Sequence, residues 1–240
     1  MRKVKTGLLL LGILAGVRGS DCVAQSLTGT SGLVTIPSAE LPKDGEVIFG
    51  LNAGNKKYNV RNPGKFHHYS YYATIGYLPF LEVSLRLTRH TNFSWSFGDE
   101  GLGDRMASVR LLVMKEKKYT PSLVLGVHDV FSAFEKTKVV YFNALYIVGS
   151  KTIKPMNSPF RFGLHMGYGT DRMKAKHHEF VGLFGGLSIG YKDFLSFMVE
   201  QDTEKFNGGV RLDLFRHVQI LAALLNFDSF SGGVSFRFAL

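Results

Sequence analysis

From Glu46 to Leu240 apolar and polar residues alternate with a period of two, and no stretch after residue 45 carries a 3.6-residue apolar period over three turns. Leu81-Glu82-Val83-Ser84-Leu85-Arg86-Leu87-Thr88 places aliphatic side chains on one face and polar or charged ones on the other. The next segment repeats this, with Ala107, Val109, Leu111 and Val113 opposed to Ser108 and Arg110. Near the end Val234, Phe236, Phe238 and Leu240 oppose Ser235 and Arg237. Such runs begin near residues 46, 68, 81, 104, 121, 139, 160, 181, 194, 205, 218 and 231. They predict about 12 strands, most of roughly 9 to 11 residues, the length a tilted strand needs to cross a bilayer. The pattern therefore predicts an all-β fold, an antiparallel transmembrane β-barrel over residues 46–240. Counted from the first strand, the spacers near 55–67, 91–103, 132–138, 170–180, 203 and 228 fall at one mouth. Those at 79–80, 115–120, 152–159, 192–193 and 215–217 fall at the other and are shorter on average, as periplasmic turns are.

A soluble sandwich alternates too. Two features favour the barrel. Charges recur at mid-strand on the non-apolar face (Glu82, Arg86, Arg110, Arg211, Arg237), as a wet lumen requires. Aromatic residues gather near strand ends, Tyr69, Tyr71, Tyr77 and Phe80, Phe194 and Phe197, Phe227 and Phe230, as interfacial girdles do.

What precedes the strands is of a different kind. Arg2, Lys3 and Lys5 lead into the apolar run 7–17, too short to span a bilayer as a helix, which reads as a secretory signal peptide. Cys22-Val23-Ala24 before Gln25 supplies a small-x-small cleavage site, giving a signal peptide over 1–24. Lipidation at Cys22 would need a small residue at Asp21 and an aliphatic one at Gly19. Residues 25–45 cannot form a regular barrel strand, because Pro37 and Pro42 interrupt a ladder while Gly32 and Gly45 permit unusual backbone angles. That segment either hangs in the periplasm or folds back as a lumen plug.

The full chain of 240 residues has a formal charge of +10, which falls to +7 once residues 1–24 are removed. An exported basic protein does not meet intracellular nucleic acid, so nucleic acid is not an expected partner. The single Cys excludes an intramolecular disulfide or a cysteine metal cluster. Catalytic patterns are missing as well. Barrel phospholipases use a His and a Ser two residues apart on one strand, whereas His128 is followed by Asp129 and Val130, and His165 by Met166 and Gly167. The pairs His67-His68 and His177-His178 fall in or beside loops, where adjacent side chains diverge and chelate poorly. Asp99, Glu100 and Asp104 with Gly98, Gly101 and Gly103 form an acidic glycine-rich loop that matches no calcium-loop spacing. The expectation is a protein without enzymatic activity, cofactor or metal.

Two resemblances sharpen this reading. The ending Gly233-Val-Ser-Phe236-Arg-Phe238 resembles the carboxy-terminal signal recognised by the outer-membrane barrel assembly machinery, with Ala239 and Leu240 displacing the usual terminal aromatic. The opening Gly29-Thr-Ser-Gly32-Leu33-Val-Thr-Ile-Pro37-Ser38-Ala39 resembles that of the YjbH family of outer-membrane proteins, found with exopolysaccharide and capsule genes. So do Tyr72-Ala-Thr-Ile-Gly-Tyr-Leu-Pro79-Phe80-Leu-Glu82, Asp104-Arg105-Met-Ala-Ser-Val-Arg110 and Tyr119-Thr-Pro121-Ser-Leu-Val-Leu-Gly126-Val-His-Asp129. Glu200-Gln-Asp202 with Phe206-Asn207-Gly-Gly209-Val-Arg211 is similar to a recurrent strand and turn element of that family. The resemblance implies a bacterial outer-membrane location and an accessory or conduit role in exopolysaccharide or capsule secretion, with acidic polysaccharide and secretion components as partners. On its face, the basic lumen of Arg86, Arg110, Arg211 and Arg237 beside Glu82 would contact such a polyanion, or else make a passive diffusion channel for anions. In a bore of about 12 strands the same charges can instead pair across the lumen and fill it.

Overall fold

The computed structural model describes residues 23–60, 63–91, 105–130, 142–173, 175 and 177–240. Its strands are β1 (Glu46–Gly54), β2 (His68–Gly76), β3 (Leu81–His90), β4 (Arg105–Met114), β5 (Ser122–His128) and β6 (Ala144–Ile153). They continue with β7 (Phe160–Thr170), β8 (Gly182–Tyr191), β9 (Leu195–Gln201), β10 (Phe206–Leu214), β11 (Val218–Leu225) and β12 (Ser229–Ala239). Every strand pairs antiparallel with its sequence neighbours, and β12 closes on β1 to make a barrel of 12 strands.

The predicted starts agree closely with these bounds except at β6, which begins at Ala144 rather than near 139, and at β12, which begins at Ser229 rather than 231. The β12 difference has a local cause. Asn226 and Phe227 both take positive φ, 51° and 54°, so a two-residue turn of mirror type reverses the chain. Phe215 and Arg216 do the same between β10 and β11, and Lys192 and Asp193 between β8 and β9. The acidic loop at Asp99, Glu100 and Asp104 lies outside the described residues.

Alternation sorts the side chains as the period of two requires. Phe49, Leu51, Leu85, Leu87, Leu111, Leu164, Leu187, Phe197, Phe236 and Phe238 are exposed on the outside, while Glu82, Ser84, Arg86, Ser108, Arg110, Arg211 and Arg237 are buried within. Tyr69, Tyr71, Tyr77, Phe80, Phe227 and Phe230 also face outward.

Residues 25–42 lie inside the barrel, with Lys43 and Asp44 exposed at its mouth. Single antiparallel bridges, Gln25 with Ser31 and Gly32 with Pro37, fold the segment on itself. Within it the Ser26 N–H donates to the Thr30 carbonyl at 2.9 Å and the Leu27 N–H to the Val34 carbonyl at 2.8 Å. Gly45 has a positive φ of 75°, whereas Gly32 does not; a Cβ at Gly32 would instead collide with the Ile36 carbonyl. The plug is two-sided. Its Leu33, Val34, Ile36 and Ala39 join a cluster with Val124, Tyr146, Val148, Phe184, Met198 and Leu221 from the half of the wall built by β5 to β11. Burying each of the three larger aliphatic side chains contributes about 2 kcal/mol. Ser31 and the carbonyls of Leu27, Thr28 and Gly29 meet polar groups of β1 to β4, while Thr35 and the carbonyls of Gly32 and Leu33 meet those of β9 and β10. The middle of the lumen is therefore filled, and part of the β5 to β11 wall is apolar, rather than wet throughout.

Candidate functional site

The charges that alternation places on the inner face hold the plug. The Glu82 carboxylate accepts hydrogen bonds from the Ser31 N–H at 3.1 Å and the Ser31 hydroxyl at 2.7 Å. It also pairs with Arg110 at 2.7 Å, and both side chains are 0% exposed. Glu82 and Arg110 are register partners on β3 and β4, so the ladder itself places them side by side. Arg110 further donates to the Ser38 carbonyl and, at 3.4 Å, to the Glu40 carbonyl. Arg86 donates to the Thr28 carbonyl at 3.3 Å and lies 4.3 Å from the Phe142 ring centroid. Arg211 donates to the carbonyls of Gly32 at 2.9 Å and Leu33 at 2.6 Å. Arg237 donates to the Val23 carbonyl and forms an ion pair with Glu46 at 2.9 Å.

Glu200, a residue the sequence resemblance marked without assigning it a task, makes the densest contact. Its carboxylate accepts from the Val34 and Thr35 N–H groups at 2.8 Å each, from the Thr35 hydroxyl, and from the Asn207 amide at 3.0 Å. Asn207 also donates to Asp202 at 2.9 Å, and Asp202 pairs with Lys205 at 2.9 Å. Glu200, Asp202 and Asn207 thus form one acidic clasp on the plug. Two wall glycines let the plug approach: a Cβ at Gly186 would crowd Leu33, and one at Gly209 would crowd Val34.

His128 and His165 are buried and engaged within the wall. His128 is buried, with Nε2 3.2 Å from the Tyr146 hydroxyl and Nδ1 3.5 Å from Glu179. The His165 ring lies between Ser150 at 2.8 Å and Ser188 at 3.4 Å, contacts across three strands that no spacing along the chain reveals. The Ser150 hydroxyl also accepts the Ala39 N–H at 2.7 Å, and the neighbouring cavity of about 40 Å³ has room for water. His178 contacts Asn143 at 3.1 Å, while His67 accepts the Lys56 N–H at 3.3 Å, so the two histidine pairs do not converge. Among the described residues no cluster of three metal-ligating side chains occurs.

The plug separates two vestibules. That small cavity lies toward the mouth carrying Gly45 and Leu240, and has Arg161, Arg211, Glu40 and Asp213 in its lining. The opposite, distal vestibule measures about 370 Å³, with Leu27, Thr28 and Thr35 of the plug as its floor. Across its rim Lys57 and Asp228 form an ion pair that joins the 3-10 turn Lys56–Tyr58 to the β11–β12 turn. The bond from Lys57 is the chief reason that the Asp228 carboxyl is held below its ordinary range, and the same bond raises the Lys57 ammonium. Gly233, Phe236 and Phe238 lie on β12, with both phenylalanines on the outer face and Phe238 against Phe49 at 6.4 Å.

The family model YjbH, described as "Exopolysaccharide biosynthesis protein YbjH", matches residues 24–194. Among curated proteins no relative matches the chain. Two solved structures of Rhodopseudomonas blastica porin, each carrying three substitutions, are similar over 81% of this chain and 99% of their own, at 11% identity and TM-scores of 0.32 and 0.31.

Proposed function

The chain belongs to the YjbH family, and from that premise we propose that it is an outer-membrane barrel serving exopolysaccharide secretion as an accessory whose own lumen is closed at rest. The family description supplies the link to exopolysaccharide. The outward belt of aliphatic and aromatic side chains supports the membrane, since an apolar surface continuous around a barrel is stable only against lipid. The observation that carries the closed state is the plug, held by Glu82, Glu200, Arg110 and Arg211. Passive diffusion of anions fits less well, because the arginines that would select anions are engaged with plug carbonyls.

Deleting the gene in the producing strain should lower exported exopolysaccharide, and a plasmid copy should restore it. Unchanged export would overturn the secretion role. The protein itself should resist carbonate extraction and migrate faster in unheated than in heated gel samples, whereas recovery as a soluble periplasmic monomer would refute the membrane reading.

A further inference from the structure

The distal vestibule has a composition unlike that of the plugged bore beneath it. Its described lining balances three cations, Lys57, Arg86 and Lys205, with three acids, Glu179, Asp202 and Glu204, beside His68, His177 and His178, so these six charged groups do not single out a bare anion such as phosphate. Between the charges stand neutral groups that both donate and accept, Asn52, Ser70 and Ser231, and aromatic side chains, Tyr58 and Phe180. The volume of about 370 Å³ sits at the lower end of the range for small-ligand pockets. A closed floor, formed by the plug, gives the cavity an inner end rather than a passage.

Sugars match this lining. Each hydroxyl is at once donor and acceptor, and each pyranose ring also presents an apolar C–H face that packs on aromatic carbon. We propose that the distal vestibule is a saccharide-binding subsite taking one or two sugar units of the glycan that the protein helps to export. The inference rests on the secretion role proposed above. It moves glycan contact away from Arg110 and Arg211, which lie beneath the plug, to Tyr58, Asp202 and Lys205 around the vestibule. Lys57 and Lys205 each place their ammonium 5.5 Å from the Tyr58 ring centroid, so this aromatic side chain joins both sides of the rim. Thr35 touches both the vestibule and the Glu200 clasp, so a sugar seated there would press on the bond that holds the plug.

The test uses the full mature protein in detergent and, as probe, di- to tetrasaccharides from partial hydrolysis of exopolysaccharide purified from the producing strain. Calorimetric titration should detect binding that Tyr58→Ala and Lys205→Ala each weaken by about tenfold. Tyr119→Ala, at the opposite mouth, should leave affinity unchanged. Unheated gel mobility of each variant checks that the barrel is intact. Absence of binding by the wild-type protein, or binding that both vestibule variants retain in full, would overturn the subsite. Export in the deletion strain separates the two readings: reduced export without oligosaccharide binding rejects the subsite alone, while binding with unchanged export rejects the secretion role alone.

Discussion

Arg110 shows how little freedom a lumen charge has here. Its guanidinium is fully buried and divides its donors between Glu82 and the plug carbonyls of Ser38 and Glu40. Removing one member of such a pair leaves an uncompensated buried charge, whereas removing both does not. Arg110→Met should therefore cost about 3–5 kcal/mol of folding stability, and the double change with Glu82→Gln should recover part of it. Denaturant unfolding followed by heat-modifiable gel mobility reads both values, and additive losses would show that the two residues act separately. At the rim, Lys57 and Asp228 behave differently because both are in solvent. The depressed Asp228 contributes stability above its unfolded pKa that is lost as pH falls through the folded one. The raised Lys57 contributes below its unfolded pKa and loses this as pH rises through the folded one. The stability difference between the wild-type protein and Asp228→Asn in denaturant unfolding should thus be largest at neutral pH, decline toward both acid and strong alkali, and fall with added salt. A profile insensitive to both pH and salt would mean that the pair does not fasten the rim.

Among the elements, β12 carries a double duty. It completes the ladder with β1 from Glu46 opposite Ala239 to Ala53 opposite Gly232, and it presents Phe236 and Phe238, 45% and 51% exposed, to the outside. Changing both phenylalanines to Ser removes the apolar surface of the closing strand together with the proposed assembly signal, so membrane-inserted protein should fall severely in fractionated cells. Normal insertion would make the ending incidental. The strands were legible in the sequence because alternation is a local property: Leu81 to Thr88 declares its two faces without reference to any neighbour. The plug was not, since its position depends on contacts far apart in the chain, Val34 with Glu200 and Ser31 with Glu82. One signal did exist. In β11, Val218-Gln219-Ile220-Leu221-Ala222-Ala223-Leu224-Leu225, apolar residues occupy both faces, the mark of a strand buried on both sides. Leu221 and Leu225 indeed meet the apolar cluster that includes the plug. The turn at 215–217 was legible from the break in alternation although Phe215 and Arg216 take left-handed angles where Asn or Gly is the usual cue, whereas the turn at 226–227 was read late, near 228.

For the molecule as a whole, the barrel ladder closes without help from residues 25–44, as every strand already has two partners. A protein with residues 1–24 retained and 25–44 deleted should still show heat-modifiable mobility. It should conduct in planar bilayers where the full protein is silent, with a preference for anions, because Arg86, Arg110 and Arg211 would then face water in a confined tube. Silence of the deletion protein would mean that the plug is not what closes the lumen. The segment also has both of its ends at one mouth: the Gln25 N–H donates to Gln219 at 2.8 Å near the start of β11, and Gly45 bonds to Gly76 and Leu240 at 2.9 Å each. It is dipped into the barrel as a loop and never threads it. Retraction of the segment toward that mouth would therefore take no part of it through the pore and would leave the β1 to β12 ladder intact, so the side of Gly45 and Leu240 is the direction in which it would clear the lumen.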